Sequence, residues 1–189
     1  MLMPTHSAEC FQIRIRFAGA HHDRPRSRTR SKKLIRNFNE VELEHDTRAP
    51  LYDSMCARLA LGTVARKLGA SVDTVAAGKM SCLITHIMRK KKCSSSCKVT
   101  APCAWPIRMC RSKPEMSFFI PPGPEYPHQL INTSDAPLQY LSISTRDTPE
   151  IVEYPDSDKF QASVTLTDGT RFVALQRRGQ NLDYWDGEP

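Results

Sequence analysis

The chain has no apolar run near the ~20 residues that a membrane-spanning helix needs. Its N-terminus lacks the charged-then-apolar pattern of a secretory leader. Together these absences predict a cytoplasmic protein with no membrane partner. An even set of regularly spaced cysteines is also missing. The seven present are an odd number at irregular intervals, which is no disulfide framework. Most telling is a local absence: residues 74–114 contain no acidic side chain at all.

That gap organises the charge. Residues 1–36 hold nine Lys and Arg against two acids, a net +7, and residues 74–114 hold nine against none, a net +9. The rest of the chain holds nine against 18, a net −9, which returns the overall +7. A basic total invites a nucleic-acid reading. The distribution argues against it, because an acidic, ordinary sequence carries two basic inserts with almost no aromatic interleaving. At 189 residues there is room for one domain with a sizeable core.

Along the chain, residues 1–36 read as a disordered basic tail. The run Arg24 to Lys33 mixes charge with Pro, Ser and Thr, and has no apolar period to bury. Val41 and Leu43 alternate with acids, as in a short edge strand. Met55–Ala70 fits either an amphipathic helix interrupted by Gly62 or two short strands about a turn. Ser71–Val75 reads as a strand that ends in a turn at Gly78. Residues 82–114 hold five of the seven cysteines and show neither a helix nor a strand period. Only Cys93 and Cys97 have the spacing of a zinc-ligand pair, and no second pair exists to complete a structural site. This segment is therefore predicted to be poorly specified.

Order returns at Ser117. Three apolar, β-prone runs follow, Ser117–Ile120, Gln129–Ile131 and Leu138–Ser144, separated by Pro- and Asx-rich turns. His128 opens the middle run after Pro121, Pro122, Gly123, Pro124 and Pro127. Ser163–Leu175 alternates either side of Asp168-Gly169, a strong β-hairpin signal with a two-residue turn. Near the C-terminus, Tyr184 and Trp185 stand among Asp183, Asp186 and Glu188, and are expected to tuck against the barrel as packing.

Pro121, Gly123, His128 and Asn132 fall in the order of the second sequence motif of the cupin superfamily, which this chain resembles, with a longer spacer before His128 and Glu115 in place of the motif's first glycine. Glu153–Ser157 and Asp183–Glu188 are similar to segments of a bacterial subgroup of small single-domain cupins. The resemblance implies an all-β, cupin-type jelly-roll barrel over residues 37–189. It also implies a divalent metal (Fe, Mn, Ni or Zn) at the barrel mouth, held by two histidines and a glutamate from a first motif together with His128. Homodimers are a further implication, since jelly rolls often shield sheet edges by pairing.

The first motif is missing. After Gly78 the chain reads ITHIMRKKKCSSSCKV, where His86 stands alone and Arg89–Lys92 occupies the glutamate's place. One account covers both the missing motif and the odd composition: residues from about 83 to 116 are read out of frame. Suitable codons for the stretch from Cys82, read from that codon's third base, yield PYHSHHAEEEMFFFLQG. That string contains His-any-His, four residues, Glu, six residues and Gly. The expectation is a cupin barrel whose metal site is impaired in this chain. Two alternatives stand beside it: a metal-free barrel that binds a small polar, sugar-like ligand, and a nucleic-acid-binding protein.

Overall fold

The computed structural model describes residues 34–96, 102–105, 108–111, 116–179 and 181–189. The expected disordered tail lies outside the described residues except for Leu34–Arg36, and so does Cys97 of the candidate zinc pair. Among the described residues the fold is built from strands: β1 (Glu44–Arg48), β2 (Tyr52–Arg58), β3 (Leu68–Val75), β4 (His86–Ile87), β5 (Lys92–Ser96), β6 (Pro102–Trp105), β7 (Arg108–Arg111), β8 (Ser117–Ile120), β9 (Gln129–Leu130), β10 (Leu138–Thr145), β11 (Glu150–Tyr154), β12 (Lys159–Thr165) and β13 (Arg171–Arg177). No described helix is long and apolar enough to cross a membrane.

The strands form a six-stranded sheet, β1-β2-β3-β10-β5-β8, a four-stranded sheet, β13-β12-β11-β4, and a three-stranded sheet, β7-β6-β9. All ten strand pairings are antiparallel. This is the all-β jelly roll that the sequence predicts.

The ambiguity over Met55–Ala70 resolves into strands. β2 and β3 pair from Ser54↔Val75 to Arg58↔Ser71, joined by a turn in which Gly62 adopts φ +73°. Within that turn the Thr63 hydroxyl donates to the Ala60 carbonyl at 2.8 Å and accepts the Ala65 amide at 3.1 Å, a side-chain turn that competes with helix. The β12–β13 hairpin forms as expected, with a three-residue loop rather than two. Leu166 N–H donates to the Thr170 carbonyl at 2.8 Å, and Gly169 takes φ +89° after a tight turn. A left-handed glycine closing a three-residue loop matches the twist of the flanking strands.

β10 gives the core its centre. Its alternation buries Leu138, Tyr140 and Ser142 on one face. Leu138 pairs with Val75 and Tyr140 with Asp73, and the cluster Val75–Leu138–Tyr140 is joined by Leu130. The buried set of the described residues holds more polar side chains than apolar ones: His86, Ser94, His128, Asn132, Ser142, Glu150 and Ser163 stand beside Ala57, Val72, Val75, Ile120, Leu138 and Tyr140.

One expectation is corrected here. The segment 82–114 is not devoid of strand. β5 sits in the middle of the large sheet, paired with β10 on one side (Ser142↔Ser94) and β8 on the other (Ser94↔Phe118). Backbone pairing on both edges holds it there, because N–H and C=O groups are the same for every side chain.

Candidate site at the barrel mouth

His128 is placed by the proline-rich turn before it. Gly123 takes φ +126°, a region that side-chain-bearing residues rarely adopt, and donates its N–H to the Ile87 carbonyl at 2.9 Å. Tyr126 N–H then closes back on the Gly123 carbonyl at 3.2 Å. The next step is a two-way backbone bridge: His128 N–H donates to Thr85 O at 2.8 Å, and Thr85 N–H to His128 O at 3.1 Å. Gly123 therefore shapes the turn that aims the histidine, which accounts physically for its place in the motif.

The His128 ring is buried, and its Nδ1 lies 3.1 Å from the Tyr126 carbonyl. A carbonyl only accepts, so Nδ1 carries the proton and Nε2 keeps its lone pair. Burial, reinforced by the Lys92 ammonium, drives the ring's pKa down to about 4, so the imidazole is neutral at physiological pH. A neutral, oriented imidazole is the form that ligates metals.

The facing strand does not complete a metal site. Cross-strand partners share a face. Thr85 is the bridge partner of His128, and alternation puts Ile87 on that same face. His86 points the other way, where its Nε2 meets the Glu153 carboxylate at 2.7 Å. Glu153 also accepts from Arg178, and this guanidinium, followed by the His86 contact, holds its carboxyl below the usual range. The other nitrogen of His86, Nδ1, is buried without a hydrogen-bond partner. His128 instead shares a cavity of about 20 Å³ with Lys92, Ser94, Phe118, Ile120 and Tyr140. That is room for about one water molecule. The Lys92 ammonium, which lines the same cavity as His128, repels a cation. Among the described residues no three His, Cys, Asp or Glu side chains stand close enough to hold a metal. The described residues do not fit a divalent metal.

Two buried polar side chains are structural. The Asn132 amide donates to the carbonyls of Val75, Ala76 and Ala136 at 2.8–3.0 Å, and its oxygen accepts from the Ser134 amide and hydroxyl. It ties the end of β3 to the turn before β10, which is what the motif's asparagine does in this chain. The Glu150 carboxylate accepts the backbone N–H groups of Met88, Arg89, Lys90 and Ile151 at 2.8–3.1 Å. Sequence reasoning missed Glu150, because its partners are backbone amides some sixty residues away. It also read Lys92 only as one member of a basic run. The single signal available was strand alternation, which puts Lys92 and Ser94 on one face.

The architecture has clear counterparts. A cupin-superfamily sugar phosphate isomerase from Silicibacter pomeroyi superposes with a TM-score of 0.64 at 20% identity, covering 78% of this chain and 96% of that one. The fold is that of the cupins. A protein provisionally named a sugar phosphate isomerase, from Acidithiobacillus ferrooxidans, gives a TM-score of 0.65 at 16% identity, over 76% of this chain and 93% of its own. A polyketide cyclase from Streptomyces resistomycificus gives 0.52 at 16% identity, over 61% and 82%. No family model and no curated protein matches the sequence. In this fold His128 lines the interior cavity, Asn132 ties β3 to the turn before β10, and the strand bridged to His128 offers Thr85.

Proposed function

We propose that this chain is a cupin barrel of the metal-dependent kind whose metal centre is incomplete as the sequence stands. The observation that carries the reading is the mismatch across the barrel mouth. His128 is buried, neutral and oriented as a ligand would be, yet its bridge partner is Thr85, and among the described residues its cavity is lined by Lys92 and by no second imidazole or carboxylate. An out-of-frame segment over about residues 83–116 explains why only this wall fails. In an intact relative the metal would supply Lewis-acid chemistry at an open coordination position. The fold likeness to a sugar phosphate isomerase supports a small polar, sugar-like ligand for that relative, at the weight that fold alone carries.

Metal analysis tests this directly. The purified chain should retain far less than one metal ion per molecule after incubation with Fe, Mn, Ni or Zn, and its melting temperature should not rise. A gene recoded to the alternative frame across codons 80–118 should give a protein that binds one metal and loses it on replacement of His128. Stoichiometric metal in the chain as it stands, lost in His128→Ala, overturns the proposal. So does genomic DNA whose alternative frame holds a stop codon or no His-rich motif.

A further inference from the structure

Tyr184 and Trp185 do not tuck against the barrel as expected: they are 85% and 68% exposed. The surface feature with a cavity behind it lies elsewhere, at the end of the large sheet where β2, β3 and β10 meet. A cavity of about 190 Å³ opens there, against about 20 Å³ at His128. Arg58, Gly69, Ser71, Ser142, Ser144 and Arg146 line it, and no carboxylate is among its lining residues.

Strand register puts these residues on one face. Arg58 pairs with Ser71, Ser71 with Ser142, and Gly69 with Ser144. Cross-strand partners share a face, and so do residues two apart on one strand. Arg146 continues the ladder one rung past β10, its N–H donating to the Lys67 carbonyl at 2.9 Å. A Cβ on Gly69 would lie 3.1 Å from Ser144 Oγ and 3.5 Å from Arg146 Cγ. The hydroxyl and the arginine stem therefore stand over this glycine, whose missing side chain keeps the cavity open.

The donors around the cavity are unspent. Among the described residues neither guanidinium forms an ion pair, and the Ser142 and Ser144 hydroxyls make no hydrogen bond. Ser142 is buried, yet its hydroxyl is not one of the sealed, unpartnered atoms, so it opens on the cavity. Asp73, on the same face, already accepts the Ser71 hydroxyl at 2.7 Å. Glu40, Glu42 and Glu44 share a separate groove with Arg58, but none is within ion-pairing distance of it. Two guanidinium charges without a counter-charge call for a dianion. A phosphate carries close to two charges and three outward oxygens that arginine forks engage in pairs, whereas a carboxylate brings one charge and two oxygens.

We infer that this cavity binds a phosphate dianion, free or as the ester of a small molecule. Arg58 and Arg146 donate to its oxygens, and the Ser142 and Ser144 hydroxyls complete the set of donors. All six lining residues named lie outside residues 83–116, so the site does not depend on the reading frame of that segment. Nor does it include His128 or any metal, so it stands apart from the metal reading.

The test is calorimetric titration of the full chain with inorganic phosphate and with glycerol phosphate, using sulfate and acetate as controls. The expected result is one phosphate per chain. Arg58→Gln and Arg146→Gln should each weaken binding about tenfold or more, as loss of a charge-assisted pair of hydrogen bonds does. Both side chains are exposed, so circular dichroism without phosphate should stay unchanged. Arg146→Lys keeps the charge but not the fork, and should recover only part of the affinity. Gly69→Val should weaken binding with both arginines in place, by filling the cavity. A bound phosphate ester loses its second charge near pH ~6, so its affinity should fall between about pH 7.5 and 5, while that of sulfate, doubly charged throughout, should hold. Tighter binding of glycerol phosphate assigns the site to phosphate esters, tighter binding of inorganic phosphate to the free anion, and either sustains the inference. It is overturned by the absence of saturable binding, by binding indifferent to both arginine changes, by acetate that binds as tightly as phosphate, or by sulfate affinity that falls in step with that of phosphate.

Discussion

Two parts of one sheet of the barrel are held by different means. In the wall of β3 and β10, pattern and place agree: Val75, Leu138 and Tyr140 alternate inward, and Asn132 ties the corner with five hydrogen bonds of its own. In β5, the next strand of the same sheet, the backbone is paired on both sides while the interior side chains are a lysine and a serine whose hydroxyl, buried, has no partner. The comparison separates what hydrogen bonding can do from what side chains must do. Backbone pairing fixes where a strand runs. Only an apolar, interdigitating face gives it the few kcal/mol that specify one packing.

The sharpest way to break this comparison is to remove the side chain that holds the connection into β5. Glu150→Ala removes the acceptor of the Arg89, Lys90 and Ile151 amides, while Met88 N–H keeps the Ile151 carbonyl. Leaving such groups unsatisfied should cost about 4 kcal/mol, or unfold the β4–β5 connection outright. Hydrogen exchange read residue by residue should then show the loss of protection confined first to residues 86–96. Uniform loss across β3 and β10 would mean that the two parts are not distinct. In the strong wall, Asn132→Ala should cost about 3 kcal/mol in urea unfolding, since it removes one donor from each of the carbonyls of Val75, Ala76 and Ala136 and the acceptor of the Ser134 amide and hydroxyl. Its effect should be global, because β3 and β10 carry the core.

Acid should act on the barrel mouth. The folded pKa of His128, about 4, lies below its ordinary 6.5, with burial first among the causes and Lys92 second. Between those values the unfolded chain takes a proton that the folded site refuses. Stability is therefore complete above pH 6.5, declines as the pH falls, and reaches its full loss below pH 4. The shift corresponds to a decline of about 3 kcal/mol. A urea series against pH checks it, with His128→Leu as control: that variant should lose most of the slope between pH 6.5 and 4.

How far the sequence was legible follows the same division. β10, β8 and the β12–β13 hairpin were readable because alternation and turn chemistry are local. Gly123, His128 and Asn132 were readable as an ordered set. β5 was not, since KCSSS has no strand pattern and its position is imposed by β8 and β10, which are distant in sequence. The His86–Glu153 contact and the Glu150 carboxylate were equally invisible, because each joins residues more than fifty positions apart. The exposure of Tyr184 and Trp185 ran against the general tendency of aromatics to pack. No periodicity in so short a segment shows which surface it faces.

The smallest predicted effect has the opposite sign. Ser94 is buried at 3% exposure, and its hydroxyl has no hydrogen-bond partner. In the barrel interior that hydroxyl has given up water and received nothing, a cost of about 1–3 kcal/mol. Ser94→Ala removes the hydroxyl without adding volume, so it cannot overpack the neighbouring Phe118 and Ile120. The variant should be more stable than the parent by about 1 kcal/mol, read as a higher urea midpoint with an unchanged slope. The same substitution at Ser142, on the paired strand β10, is the comparison to make. Ser142 is buried too, but its hydroxyl is not among the orphaned atoms. Ser142→Ala should therefore be neutral or destabilising. A gain at Ser94 with none at Ser142 places the defect in β5 itself. Equal effects at both would mean that the interior tolerates hydroxyls generally, and that the weakness of β5 lies elsewhere.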